Sequence, residues 1–236
     1  LGIDEIPDGY EADSVWSYEV GAKSRLFDGK VQLNTSAFYI DWTNIQQNLR
    51  LPTCRSTLIL NVGQAVSKGF DAALTAQVTD ALRLEATVAY TNAEYTDSII
   101  TENLTTGATT DVVLEGDALS TIAPWVVTLS AQYDFEIKDT TSFVRVDYDY
   151  RGAAPEPLIG RAGVDPLAHR RPETHFVSAR AGVELDSLKV SVFVDNLFNS
   201  TPILTRTRHS ARDAITLFYS STMKPRTFGV TASFRY

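Results

Sequence analysis

The sequence is poor in the residues that anchor most soluble chemistry. It has one cysteine, one methionine and three histidines in 236 residues. The lone Cys54 closes no disulfide within the chain and supports no Cys-x-x-Cys or zinc spacing. It is either a free thiol or half of a disulfide whose partner lies outside the chain. Basic residues are also few: 21 Lys and Arg stand against 29 Asp and Glu, a net charge of -8, which argues against nucleic acid as a partner. No run approaches the roughly 20 apolar residues a spanning helix needs. That test is blind to membrane β-barrels, whose alternating strands average to neutral. No phosphate-binding glycine loop follows a strand, and no His-Glu-x-x-His or supported Ser/His/Asp order occurs. Enzyme activity, a resident metal and a cofactor are therefore not expected. Leu1 is followed by no signal-peptide pattern, which leaves the compartment open.

Helical periodicity is nearly absent, and period-two alternation recurs along the whole chain. Nine strands are read, at about 16–23, 31–39, 70–78, 82–91, 125–134, 144–151, 177–185, 188–195 and 226–236. In the fifth, Trp125, Val127, Leu129, Ala131 and Tyr133 alternate with Thr128, Ser130, Gln132 and Asp134. Phe38 and Phe193 break the pattern by falling on polar faces. The stretch from Leu58 to Val78 reads as one extended ribbon. Charged strand residues such as Glu85, Arg145, Asp147, Asp149, Arg180 and Glu184 collect on the face opposite the apolar one, where cross-strand charge pairing is expected.

The connections alternate in length. Short turns at 27–30, 79–81, 136–141 and 186–187 carry Gly, Asp, Ser or Thr. Long polar segments at 43–57, 97–118, 152–174 and 199–213 separate them. In an up-and-down antiparallel sheet this puts every short turn at one end and every long loop at the other, as in outer-membrane barrels. Alternation alone fits either a lipid-facing barrel or a sheet packed on a second sheet. Aromatics near the ends of the apolar faces, with smaller residues between, favour lipid.

Three segments resemble TonB-dependent outer-membrane receptors. They are Ser17 to Gln46, Asn61 to Asp97, and DNLFN (Asp195 to Asn199) followed by RTFGVTASFRY at 226–236. The resemblance implies an all-β, antiparallel up-and-down meander of about nine strands, part of a 22-stranded transmembrane β-barrel in the bacterial outer membrane. It implies that residues 1–236 are the C-terminal portion of that barrel, with the plug domain and earlier strands lying elsewhere. Uptake of a scarce ligand is implied, an iron–siderophore complex by family frequency, with TonB engaged only through the plug. A passive porin-like channel and a soluble β-sandwich that binds carbohydrate are the competing readings. The final strand resembles the signal read by the barrel-assembly machinery, carried by Phe228, Val230, Phe234 and Tyr236.

Cations gather in the long segments. Seven of the fifteen arginines lie in or at the edges of two of them, 152–174 and 199–213: Arg151, Arg161, Arg170, Arg171, Arg206, Arg208 and Arg212. All three histidines, His169, His175 and His209, join them. Guanidinium and imidazole donors suit an anionic, oxygen-rich small molecule. The expected ligand-binding set is Arg161, His169, Arg170, His175, Arg206, Arg208, His209 and Arg212. Against it stands the reading of a solvated loop whose arginines merely pair with acidic neighbours or with lipopolysaccharide. The acidic segment of Asp97, Glu102, Asp111, Glu115 and Asp117 lacks calcium-loop spacing and is expected to be solvated.

Overall fold

The structure, a computed structural model, describes residues 9–50, 57–61, 63–103, 108–119, 122–161, 164–210 and 216–235. Among these there is no helix long and apolar enough to cross a membrane. Nine long strands build one sheet. They are β1 (Ser14–Leu26), β2 (Val31–Thr43), β5 (Ala65–Gln77), β6 (Leu82–Tyr95), β9 (Trp125–Ile137), β10 (Thr140–Arg151), β11 (Thr174–Leu185), β12 (Leu188–Asp195) and β15 (Thr227–Phe234). Each pairs antiparallel with the next in that order, so the sheet is an up-and-down meander. Its two outer strands are β1 and β15, and closure into a barrel is not seen among the described residues.

All four short turns fall at one end. Lys138 and Asp139 both take positive φ, the two-residue hairpin geometry that suits the strand twist. Between β1 and β2 the loop is four residues long, and Phe27, Asp28 and Gly29 all take positive φ. Thr79 closes the β5–β6 turn by accepting the Ala81 and Leu82 amides on its hydroxyl.

The long connections are more ordered than their polar composition suggests. Three contain hairpins of their own: β3 (Gln46–Arg50) with β4 (Thr57–Asn61), β7 (Ile99–Asn103) with β8 (Ala108–Val113), and β13 (Ile203–Ser210) with β14 (Thr216–Thr222). Their strands are short and carry no sustained apolar alternation, which is why the pattern does not reveal them. The ribbon expected from Leu58 to Val78 is broken into β4 and β5, with Gly63 at φ 62° between them.

The hydrophobic cluster lies at the loop end. Ile45, Ala65 and Tyr95 are buried with Val112 and Val113 of β8, against Trp42, Ile99 and Leu119. Over the long strands the apolar face stays bare. Leu129 and Val146, in central strands, are each 44% exposed. Among the described residues no second sheet covers that face, which overturns the β-sandwich reading. A water-soluble sheet of this width would leave far more contiguous apolar surface than a monomer tolerates.

Aromatic residues bound the bare face at both ends. Phe70, Tyr90 and Trp125 cluster at the loop end, with ring centroids 4.7 to 6.0 Å apart. Tyr133 and Phe135 stack near the turn end. From Trp125 to Phe135 is about 33 Å along a strand, or about 25 Å of height at a typical barrel tilt, the thickness of a barrel's apolar band.

The two exceptions on the polar face also have a place. Phe38 lies opposite Gly69 and Phe193 opposite Gly229, and a third pair sets Phe143 against Gly182. Each ring lies over its glycine, where a Cβ would meet ring carbons at 2.3 to 2.9 Å. An aromatic covering a cross-strand glycine shields exposed backbone and pins register.

Candidate functional site

The polar face carries a charge network along its middle. Arg145 bonds Asp147 at 2.8 Å within β10 and reaches Glu85 at 3.3 Å, two strands away. Asp147 also accepts the Ser130 hydroxyl at 2.6 Å. Glu184 and Lys189 pair directly across β11 and β12. Arg180, in contrast, sits in register with Arg145 and turns its guanidinium over the Phe193 ring at 5.6 Å. The expected pairing of opposite charges therefore holds for Glu85 and Glu184, while Arg180 is met by an aromatic.

At the loop end most expected ligand-binding cations already have protein partners. Arg161 grips Asp117 with both arms of its fork, Nε to Oδ2 at 2.7 Å and Nη2 to Oδ1 at 3.0 Å. Its third nitrogen lies 3.8 Å from Asp111. This joins the β10–β11 connection to the β7–β8 region, and the guanidinium holds the Asp117 carboxyl below its ordinary value of 3.8. Two residues of the acidic segment thus share the one guanidinium of Arg161, and no cluster able to hold a metal occurs among the described residues.

Arg170 donates to the Ala154 carbonyl at 2.7 Å and pairs with Glu156 at 2.6 Å. Arg208 on β13 reaches Asp165 at 3.2 Å, and His169 contacts the Ile203 carbonyl at 3.1 Å. Arg206 stacks on Phe218 across its own hairpin, 3.9 Å from the ring centre. The β10–β11 connection is therefore tied on both sides, by Arg161 to one hairpin and by Arg208 and His169 to the other.

His175 lies elsewhere. Strand register puts it on the apolar face opposite Tyr150, with its Nδ1 2.8 Å from the Tyr148 hydroxyl. It belongs to the aromatic belt and not to the loop cations, because an odd position on β11 points away from Arg180 and Glu184. His209 is on β13, paired with Leu217. Arg212, Cys54 and Tyr236 lie outside the described residues. Phe228, Val230 and Phe234 stand exposed on the apolar face of β15, as the alternation predicts.

Two cavities open at this end. One of about 510 Å³ is lined by Ser67, Thr91, Glu94, Ala123, Ala154 and the already paired Arg170. The other, about 420 Å³, lies between the polar-face ends of β10 and β11 and the base of the β13–β14 hairpin. Arg151 and Arg171 line it. Both belong to the arginine-rich set but not to the expected ligand-binding residues. Position could have singled out Arg151, the last polar-face residue of its strand.

The motif DNLFN gains a physical reason. Asn196 is 1% exposed with positive φ, and its amide donates to the carbonyls of Ser200 and Lys224, both at 2.9 Å. Its Oδ1 accepts the Ser200 amide, and Asn199 accepts that of Arg226. The pair ties the exit of β12 to the entry of β15, closing the base of the last hairpin. Asparagine is the side chain that tolerates the left-handed conformation while offering donor and acceptor together.

Comparison with known proteins agrees with this architecture. A segment of 107 residues, 45% of the chain, is 30% identical to the metal-pseudopaline receptor CntO of Pseudomonas aeruginosa and covers 14% of it. The siderophore receptor PiuA of Acinetobacter baumannii superposes with a TM-score of 0.68 at 19% identity, over 94% of this chain and 28% of that one. The ferric-catecholate import receptor Fiu of E. coli K12 gives 0.65 at 16% identity, over 96% and 28%. The chain thus spans under a third of these proteins. Residues 5–197 match the family model described as TonB dependent receptor-like, beta-barrel. With one meander belted by aromatics on one face and charged on the other, this chain belongs to the TonB-dependent receptor β-barrel family.

Proposed function

We propose that the chain is the C-terminal portion of a 22-stranded receptor that takes up an iron–siderophore complex, with energy delivered by TonB through a plug domain. The chain is a barrel component of the outer membrane of a Gram-negative bacterium. The observation that carries the proposal is the asymmetry of the sheet. Its aromatic-belted face is bare of protein, its other face is charged, and every long connection lies at one end, where two cavities open. Lipid covers the first face, and the charged one lines a wet interior. The small-molecule ligand binds at the loop end.

The test is uptake of 55Fe-labelled ferric siderophores by cells carrying the full-length receptor, with TonB present and deleted. Uptake that requires both receptor and TonB is expected. Uptake independent of TonB would leave the passive channel standing, and none at all would overturn the iron reading. A non-ferric metal chelate is a second reading, favoured by the similarity to a metal-pseudopaline receptor. Labelled zinc in the same assay separates the two. We also assign the assembly signal to Phe228, Val230, Phe234 and Tyr236. Removing Tyr236 should lower the amount of receptor reaching the outer membrane, and unchanged surface levels would refute that assignment.

A further inference from the structure

We propose that the cavity of about 420 Å³ beneath the β13–β14 hairpin is an anion subsite, in which Arg151 and Arg171 clamp planar anionic oxygens of the imported molecule. The proposal rests on the uptake reading and names the ligand chemistry within it. Four arginines at the loop end, Arg161, Arg170, Arg206 and Arg208, are satisfied by carboxylates, a carbonyl or a ring. Arg171 is different. Its Nε is buried with no hydrogen-bond partner among the described residues. A guanidinium nitrogen removed from water without an acceptor is costly, so its retention points to an acceptor that arrives with a ligand. Arg151 has no carboxylate pairing among the described residues and lines the same cavity.

The remaining lining fits an anion that also has an apolar part. Thr174 and Thr205 add hydroxyls, and Met223 a soft apolar wall. One carboxylate, Asp149, lines the same cavity and accepts the Thr128 hydroxyl at 3.2 Å. Two positive groups against one negative leave a net attraction for anionic oxygen. The guanidinium fork matches two coplanar oxygens, as in a carboxylate or a catecholate.

The experiment uses purified full-length receptor in detergent, with folding verified by heat-modifiable gel mobility. Two 55Fe probes are dialysed to equilibrium, ferric citrate for carboxylate oxygens and ferric 2,3-dihydroxybenzoate for catecholate oxygens. At least one should bind, and which one binds identifies the oxygen type. The double variant Arg151→Gln/Arg171→Gln should weaken that probe by roughly 10- to 100-fold, as expected for charge-assisted bonds. Arg171→Lys keeps the charge and loses the fork, so it should fall between. Asp149→Asn, which removes the opposing charge, should tighten binding. Failure of both probes to bind the native receptor, native affinity in the double variant, or weaker binding on Asp149→Asn would each overturn the subsite. TonB-dependent uptake that survives unchanged in the double variant would refute the subsite while leaving the receptor reading intact.

Discussion

Gly229 and Gly69 look alike in the sequence, both facing a phenylalanine across the ladder, yet alanine should act differently at the two. A Cβ on Gly229 would stand 2.3 and 2.5 Å from the tip atoms of the Phe193 ring, far inside the roughly 3.5–4.0 Å of a carbon contact. The ring can swing away, and the cost is what it gives up: its cover over the glycine and its place beneath Arg180. Overpacking of this kind costs about 1–3 kcal/mol. Alanine returns about 0.5–1 kcal/mol over glycine in a strand. Gly229→Ala should therefore destabilise by about 1–2 kcal/mol. Phe193→Ala removes the obstacle, so the double variant should be more stable than the sum of the single losses.

At Gly69 the nearest atom is the Tyr90 carbonyl oxygen, 2.1 Å from the Cβ position, with Phe38 behind it at 2.7 Å. That oxygen is held in the β5–β6 ladder and cannot turn aside. Gly69→Ala should cost more than about 3 kcal/mol, and Phe38→Ala should not restore it. Urea unfolding of the full-length receptor, followed by tryptophan fluorescence, reads all six variants. Native stability in Gly229→Ala, or full rescue of Gly69→Ala by Phe38→Ala, would refute the reasoning.

Further outcomes follow from the same geometry. Leu129→Arg places a charge on the lipid face at mid-height and should cost about 2–4 kcal/mol in folding into liposomes, while its neighbour Thr128→Arg, on the wet face, should cost on the order of 0.5 kcal/mol or less. Equal costs would contradict the assignment of faces. Asn196→Ala leaves the Ser200 and Lys224 carbonyls without their donor and puts alanine in a left-handed conformation, so urea unfolding should show a loss of about 2–4 kcal/mol. Because Arg161 lowers the Asp117 pKa, the contribution of that ion pair is complete above 3.8 and is lost as pH falls through the lowered value. Spin labels on the β7–β8 and β10–β11 connections should hold one distance from pH 7 to 5 and spread at more acid pH. In Asp117→Asn the spread should already exist at pH 7.

Much of this protein is legible along one dimension. The face of every long strand follows from alternation, because a pleated chain has a side-chain period of two and a one-residue error would put charge into lipid. The pairing of strands across each short turn follows as well, since such a turn leaves the two strands no neighbour but each other. Those properties are local. The hairpins inside the polar connections were not legible, because their strands are short and carry no sustained apolar alternation.

The loop cations show the same divide. Composition marks an arginine-rich end, but not that Arg161 is consumed by Asp117, 44 residues away in the chain, or that His175 faces the tyrosines of β10. A charge satisfied by a distant carboxylate and a charge left waiting have the same letter. Phe193 carries the lesson furthest. As a residue it breaks the polar alternation, and only register, which sets it over Gly229, shows why an aromatic belongs there. Sequence determined which way each side chain faces. Tertiary structure alone decided which charges meet, because pairing depends on distances between strands and loops that no local pattern encodes.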